Sequence, residues 1–179
     1  MGHPRSDAFA EEIRAEFPRF RIRPKSESAF QRAIDVALKI VTLGAQRAYL
    51  TKYHTVLGDT LWVPTAWPSS TDEARYVLLR HERVHLRQRR RYGDLLFAFL
   101  YLVPILPIGL AWGRARIEWE AYVETLRATA EVHGLDAAKD PRLHDEILRR
   151  FTGGDYGWMW PFPRVIRRWI AETLAALEA

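Results

Sequence analysis

The sequence predicts an α+β fold, mostly helical, and three observations predict it. Most of the chain falls into segments with apolar residues at helical spacing, bounded by start and stop residues. One stretch, Ala48–Leu57 with Thr60–Val63 around Gly58-Asp59, alternates like a β-hairpin instead. A 48% hydrophobic content, with seven Trp, seven Tyr and eight Phe, is enough for a real core and excludes global disorder. At 179 residues a single domain is expected, with residues 1–25 as an N-terminal arm, 26–133 as the core and 134–179 as C-terminal helices and an aromatic plug.

Each element has a local signal. Asp7 is the expected cap of a first helix, Ala8–Phe17, which Pro18 stops. The basic stretch Arg19–Lys25, closed by Pro24-Lys25, has the composition of a linker. Ser26 or Ser28 caps a second helix, with Phe30, Ile34, Ala37, Leu38 and Val41 on one face and Gly44 as its stop. After the hairpin, Ser70 with Glu73 three residues on is a capping-box signature for a helix over Thr71–Tyr92, ended by Gly93. An apolar run, Leu95–Trp112, is interrupted by Pro104 and Pro107. Helices follow over Arg114–His133, with Gly134 as stop, and from Pro141 to about Phe151. An aromatic loop starting at Gly153-Gly154 precedes a last helix, Arg164–Leu177.

Composition narrows the chemistry. There is no cysteine, which excludes disulfides, Cys-ligated zinc, thiolate catalysis and Cys-held iron–sulfur clusters. Any metal must be held by nitrogen and oxygen. The net charge of +5 conceals 23 Arg against 4 Lys, an excess suited to phosphate, carboxylate or membrane-surface contacts. The first twenty residues carry acids and no apolar h-region, so they are not a secretory signal and a cytoplasmic location is expected.

One motif carries chemistry. His81-Glu82-Arg83-Val84-His85 is an H-E-x-x-H sequence within the capped helix. Residues i and i+4 share a helical face, so both imidazoles can reach one ion at about 2 Å. Glu82, one residue off, can face a water on that ion without ligating it, which is where a general base is wanted. Such motifs also arise by chance, and interleaved Arg80, Arg83 and Arg87 are what a solvated amphipathic helix would show. The start and stop signals and the preceding hairpin favour the metal.

Two histidines leave a tetrahedral zinc site short of one protein ligand, the fourth position being left to water. The Arg114–His133 helix offers Glu118 and Glu120, which lie about 200° apart on a helix and cannot both face one ion. Glu118 shares its face with Ala111, Ala115, Ala121, Tyr122 and Thr125, neighbours suited to close packing. Glu120 shares its face with Arg116, Glu124 and Arg127, a solvated surface. Glu118 is therefore the expected third ligand.

These residues resemble the gluzincin branch of zinc metallopeptidases, in which His-Glu-x-x-His is followed by a helix-borne Glu, here 33 residues beyond His85. Glu118-Trp119-Glu120-Ala121-Tyr122 is similar to a Glu-x-x-Ala-Asp element of two gluzincin families, with Tyr122 where those have Asp. The stretch Thr55–Leu126, with Gln88 three residues after the motif, is most similar to small bacterial and phage minimal gluzincins. The resemblance implies a zincin-like fold with a small sheet packed on the active-site helix. It implies Zn2+ held by His81, His85 and Glu118, and Glu82 as general base in hydrolysis of a peptide or protein substrate. Tyr122 would orient a ligand or contact the oxyanion.

Two further features bear on partners. Leu95–Trp112 holds 18 uncharged residues, about 27 Å as a helix. A span would set His85 and Glu118 on opposite sides of a bilayer core about 30 Å thick, so a shared ion excludes it. Buried core, an active-site lid or a peripheral membrane contact remain as readings. Arg80, Arg83, Arg87, Arg89, Arg90 and Arg91 place six cations in twelve residues just before it. They suit a solvated helix face or a membrane surface. Nucleic acid is disfavoured, because no binding fold or base-stacking signature accompanies the charge. The alternative to an enzyme is a non-catalytic module that binds zinc structurally, or docks its Arg-rich helix on a membrane or acidic partner.

Overall fold

The structure, a computed structural model, describes residues 2–29, 32–33, 35–36, 54–102, 111–153 and 159–178. Most of the helix expected from Ser26 or Ser28, the Ala48–Tyr53 part of the hairpin, Pro104, Pro107 and much of the aromatic loop lie outside them. The chain is α+β and mostly helical, with one three-stranded sheet. It divides into two compact units, Met1–Leu79 and Arg80–Ala179.

The first unit opens with helix α1, Pro4–Glu16. It begins four residues earlier than Asp7 implies, because Pro4 occupies N1, where its fixed φ suits a helix and its missing N–H costs nothing. The cap is not local. The Asp72 carboxylate accepts from the backbone N–H of Arg5 at 2.9 Å and of Ser6 at 2.8 Å. Burial pushes the Asp72 carboxyl up, but those N–H donors and the charge of His3 outweigh it and hold the carboxyl below its usual range. Phe9, Ala10 and Ile13 form the buried face of α1, and the Phe9 ring meets Tyr76 edge-on at 5.1 Å.

The expected Arg19–Lys25 linker contains a strand, β1, Arg21–Pro24, which corrects the sequence reading. Its alternation is hidden because three of its four residues are exposed, as on an edge strand, and its pairing partner lies far along the chain. Strand β2, Thr55–Leu57, and β3, Thr60–Val63, form the hairpin. Gly58, at φ +61°, takes the left-handed conformation that the tight turn needs. The order is β1-β3-β2, with β1 parallel and β2 antiparallel to β3. Leu61 and Val63 point inward from the central strand, and the fully buried Lys25 donates to Thr55 Oγ1 at 2.8 Å.

Helix α2 covers Asp72–Tyr92. Its cap is Thr71, whose Oγ1 accepts from Ala74 N at 3.2 Å, not the expected Ser70. Ser70 instead ends the short 3-10 turn Trp67–Ser69.

The second unit contains the rest of α2, then α3, Asp94–Leu102, and α4, Trp112–His133. Three shorter helices follow: α5, Leu135–Ala138; α6, Pro141–Thr152; and α7, Pro163–Glu178. Gly113 lets α4 approach α3 closely, since a Cβ there would meet Leu100 Cδ2 at 3.0 Å. Asp140 caps α6 by accepting from Arg142 N at 2.8 Å. Ala115, Trp119 and Leu126 of α4 pack with Ile147 and Phe151 of α6 and Ile166, Trp169 and Ile170 of α7. Met159, fully buried, joins them from the aromatic loop, and its carbonyl accepts from Ala111 N at 3.1 Å. In that part of the loop Trp160 lies 4.9 Å from both Trp112 and Phe162, which are themselves exposed.

The apolar run behaves differently from buried core along α3. Leu95 is 90% exposed and Phe99 60%, with Leu96 also exposed. Among the described residues, no helix is long and apolar enough to cross a membrane.

Candidate metal centre

Helices α2 and α4 run antiparallel along the site. His81 pairs with Thr125, His85 with Glu118, and Gln88 with Ile117, so advance along one helix matches retreat along the other. Arg80 fastens the pair further along α4, bonding Glu124 through Nε at 2.5 Å and Glu131 at 2.7 Å.

Between the helices three ligand atoms converge. His81 Nε2 and His85 Nε2 are 3.2 Å apart, and Glu118 Oε2 lies 4.0 Å from the first and 3.8 Å from the second. Zinc held tetrahedrally at about 2.0–2.1 Å separates its ligand atoms by about 3.3 Å, so the triangle is close to the size required. These three residues form a group able to hold a metal ion.

The protons on the imidazoles sharpen the fit. Thr125 Oγ1 lies 3.0 Å from His81 Nδ1 and donates its own proton to the Ala121 carbonyl at 3.2 Å. It therefore accepts from His81 Nδ1–H. Gln88 Oε1 lies 3.0 Å from His85 Nδ1 and accepts likewise. When the imidazoles are neutral, protonation at Nδ1 leaves both Nε2 atoms as lone-pair acceptors facing each other and a carboxylate oxygen. Three acceptors around one point are a cation's environment.

The other residues singled out in the sequence are placed as follows. Glu82 is buried, on the turn that carries His81, and stands outside the converging group. Tyr122 meets His81 edge-on at 5.0 Å and Phe151 in a tilted contact at 5.5 Å, which ties the orientation of His81 to the aromatic core. Glu118 is buried beside the histidines, whereas Glu120 accepts from Gln88 Nε2 at 2.8 Å. The support of the two imidazoles comes from Thr125 and Gln88. Thr125 was visible as a residue on the Glu118 face. Gln88 had only its spacing, one turn beyond His85, to mark it.

Comparison with protein-family models, with curated proteins and with solved structures finds no match to the chain. The functional argument rests on the geometry.

Proposed function

We propose that the chain is a zinc-dependent metallopeptidase of gluzincin type with a zincin-like catalytic core. The observation that carries the reading is the convergence of His81 Nε2, His85 Nε2 and Glu118 Oε2, with both Nδ1 protons engaged elsewhere. Zinc held there supplies Lewis acidity, polarising a scissile carbonyl and acidifying water. Glu82 takes the proton of the attacking water and passes it to the leaving amine as the C–N bond breaks. Tyr122, one turn from Glu118, packs its ring against His81 and orients it, or contacts the oxyanion. The test is metal-stripped protein reloaded with zinc and assayed on a mixed peptide library by mass spectrometry. One zinc per chain and new peptide termini are expected, with Glu82→Gln keeping the zinc and losing the cleavage. Absence of stoichiometric zinc in the wild type overturns the proposal.

A second reading concerns location. We infer that α3 docks on an anionic lipid surface. Leu95, Leu96 and Phe99 stand exposed along it, and Arg87, Arg90 and Arg91 are exposed at the preceding helix end, so apolar anchors and cations lie within a few residues of each other. Phosphatidylcholine vesicles containing phosphatidylserine should sediment the protein, and pure phosphatidylcholine should not. Leu95→Glu with Phe99→Glu should abolish the effect. Equal sedimentation of that double variant counts against it.

A further inference from the structure

The hydrogen bonds around His85 continue past its first partner. We propose that Gln88 is a positioning residue that links the charge of Glu120 to His85, as a carboxylate–amide–imidazole relay. The proposal rests on the reading of His81, His85 and Glu118 as zinc ligands.

Gln88 is only 4% exposed, so the orientation of its amide is set by protein groups and not by water. Its Nε2 has two protons, and each has an acceptor: the Ile117 carbonyl at 2.9 Å and Glu120 Oε2 at 2.8 Å. Turning the amide over would set its oxygen against that carbonyl and that carboxylate, two acceptor–acceptor contacts in a buried place. The amide oxygen must therefore face His85 Nδ1, 3.0 Å away, and His85 must carry its proton there. One side chain thus selects the tautomer that turns His85 Nε2 toward Glu118.

The relay also has a sign. The Glu120 carboxylate pulls on the Gln88 N–H, which strengthens the amide oxygen as an acceptor and makes the imidazole a better electron donor. A carboxylate bonded directly to the histidine does this more strongly. Interposing an amide keeps the second negative charge away from the buried Glu118 while retaining part of its influence. This accounts for both glutamates in the Glu118-Trp119-Glu120 run: one faces the ion, and the other, two residues on, acts on a ligand through Gln88. His81 differs, since its Nδ1 meets Thr125, whose hydroxyl donates to the Ala121 carbonyl and not to a carboxylate.

The test uses the full chain, zinc-free and zinc-titrated. Long-range 1H–15N correlation of the histidines in zinc-free protein, at a pH where imidazole is neutral, reports the His85 tautomer. Competition with a chromophoric chelator reports zinc affinity. In Gln88→Met the His85 Nδ1–H form should give way to a mixture and zinc affinity should fall by about 10–100-fold. Glu120→Gln preserves an acceptor for Gln88 and removes only the charge, so the tautomer should persist while affinity falls several-fold. An unchanged tautomer in Gln88→Met, or Glu120→Gln with wild-type affinity, overturns the relay. Should Gln88→Met not fold, Glu120→Gln decides alone. Should the wild type take up no zinc, the ligand reading fails, while the tautomer measurement, made without metal, still judges the positioning role.

Discussion

Helix α4 serves two regions that obey different rules. Toward α6 and α7 it presents Ala115, Trp119 and Leu126 to an aromatic core in which Trp119 meets Trp169 at 5.3 Å and Phe151 at 6.2 Å. Toward α2 it presents Glu118, Glu120, Thr125 and the Ile117 carbonyl, each set against particular polar atoms at particular distances. The first region is held by area removed from water and tolerates exchange of one large apolar side chain for another. The second is held by matching donors to acceptors, where one wrong atom leaves a buried group unsatisfied at about 1–3 kcal/mol. One helix can be a generic packing element on one side and a specific one on the other. Tyr122 joins the two, touching Phe151 and His81.

The comparison breaks most visibly in the aromatic region. Trp119→Ala removes a side chain only 6% exposed and should cost about 3–5 kcal/mol in urea denaturation, while Trp119→Phe costs much less. On the polar side the ordering should invert, with small stability changes and large changes in metal binding. His81→Ala and Glu118→Ala should lose stoichiometric zinc, a far larger effect than the roughly 10–100-fold of a lost supporting contact. Glu120→Ala should keep one zinc per chain, and loss of zinc there would reverse the assignment of the third ligand. Thr125→Val, nearly isosteric, leaves His81 Nδ1–H without its acceptor. Zinc affinity should drop about tenfold with the far-ultraviolet spectrum unchanged. An unaltered affinity would mean that Tyr122 alone orients His81.

The smallest effect tests whether distant polar matching also matters outside α4. Asp72 caps α1 from 66 and 67 residues away, so Asp72→Asn should lower Tm slightly at neutral pH. The native carboxyl titrates below the ordinary 3.8, so its contribution is present above that value and is lost as pH falls through the depressed one. The wild type and Asp72→Asn should therefore converge in strong acid. A Tm difference independent of pH would assign the effect to packing.

Legibility in the sequence followed the range of the forces involved. The α2, α4, α6 and α7 segments were expected within a few residues of their observed limits, because periodicity, prolines and glycines act locally. The hairpin turn at Gly58-Asp59 was visible for the same reason. Strand β1 was missed, since it pairs in parallel with residues 39 positions away and shows no alternation of its own. The start of α1 was misplaced because its acceptor is Asp72. At the site, the sequence separated Glu118 from Glu120 by assigning Glu120 to a solvated face. In the structure Glu120 accepts from the buried Gln88 and its neighbour Glu124 bonds Arg80, because α2 packs over that side as well. The buried exposure of Gln88 and its three bonds had no local signature.

By itself the sequence determined the set of candidate ligands: no thiolate, two imidazoles one helical turn apart, and a glutamate on a face of small residues. Local helical geometry enforces those spacings wherever the helices lie. Only the tertiary structure decided which ring nitrogen of each histidine turns inward and what Glu120 does. Those outcomes depend on hydrogen bonds from His81 to Thr125, 44 residues on, and from Gln88 to Ile117 and Glu120, 29 and 32 residues on. Such bonds exist only once α2 and α4 have packed, because neither helix can supply the other's missing donor or acceptor until water has left the space between them.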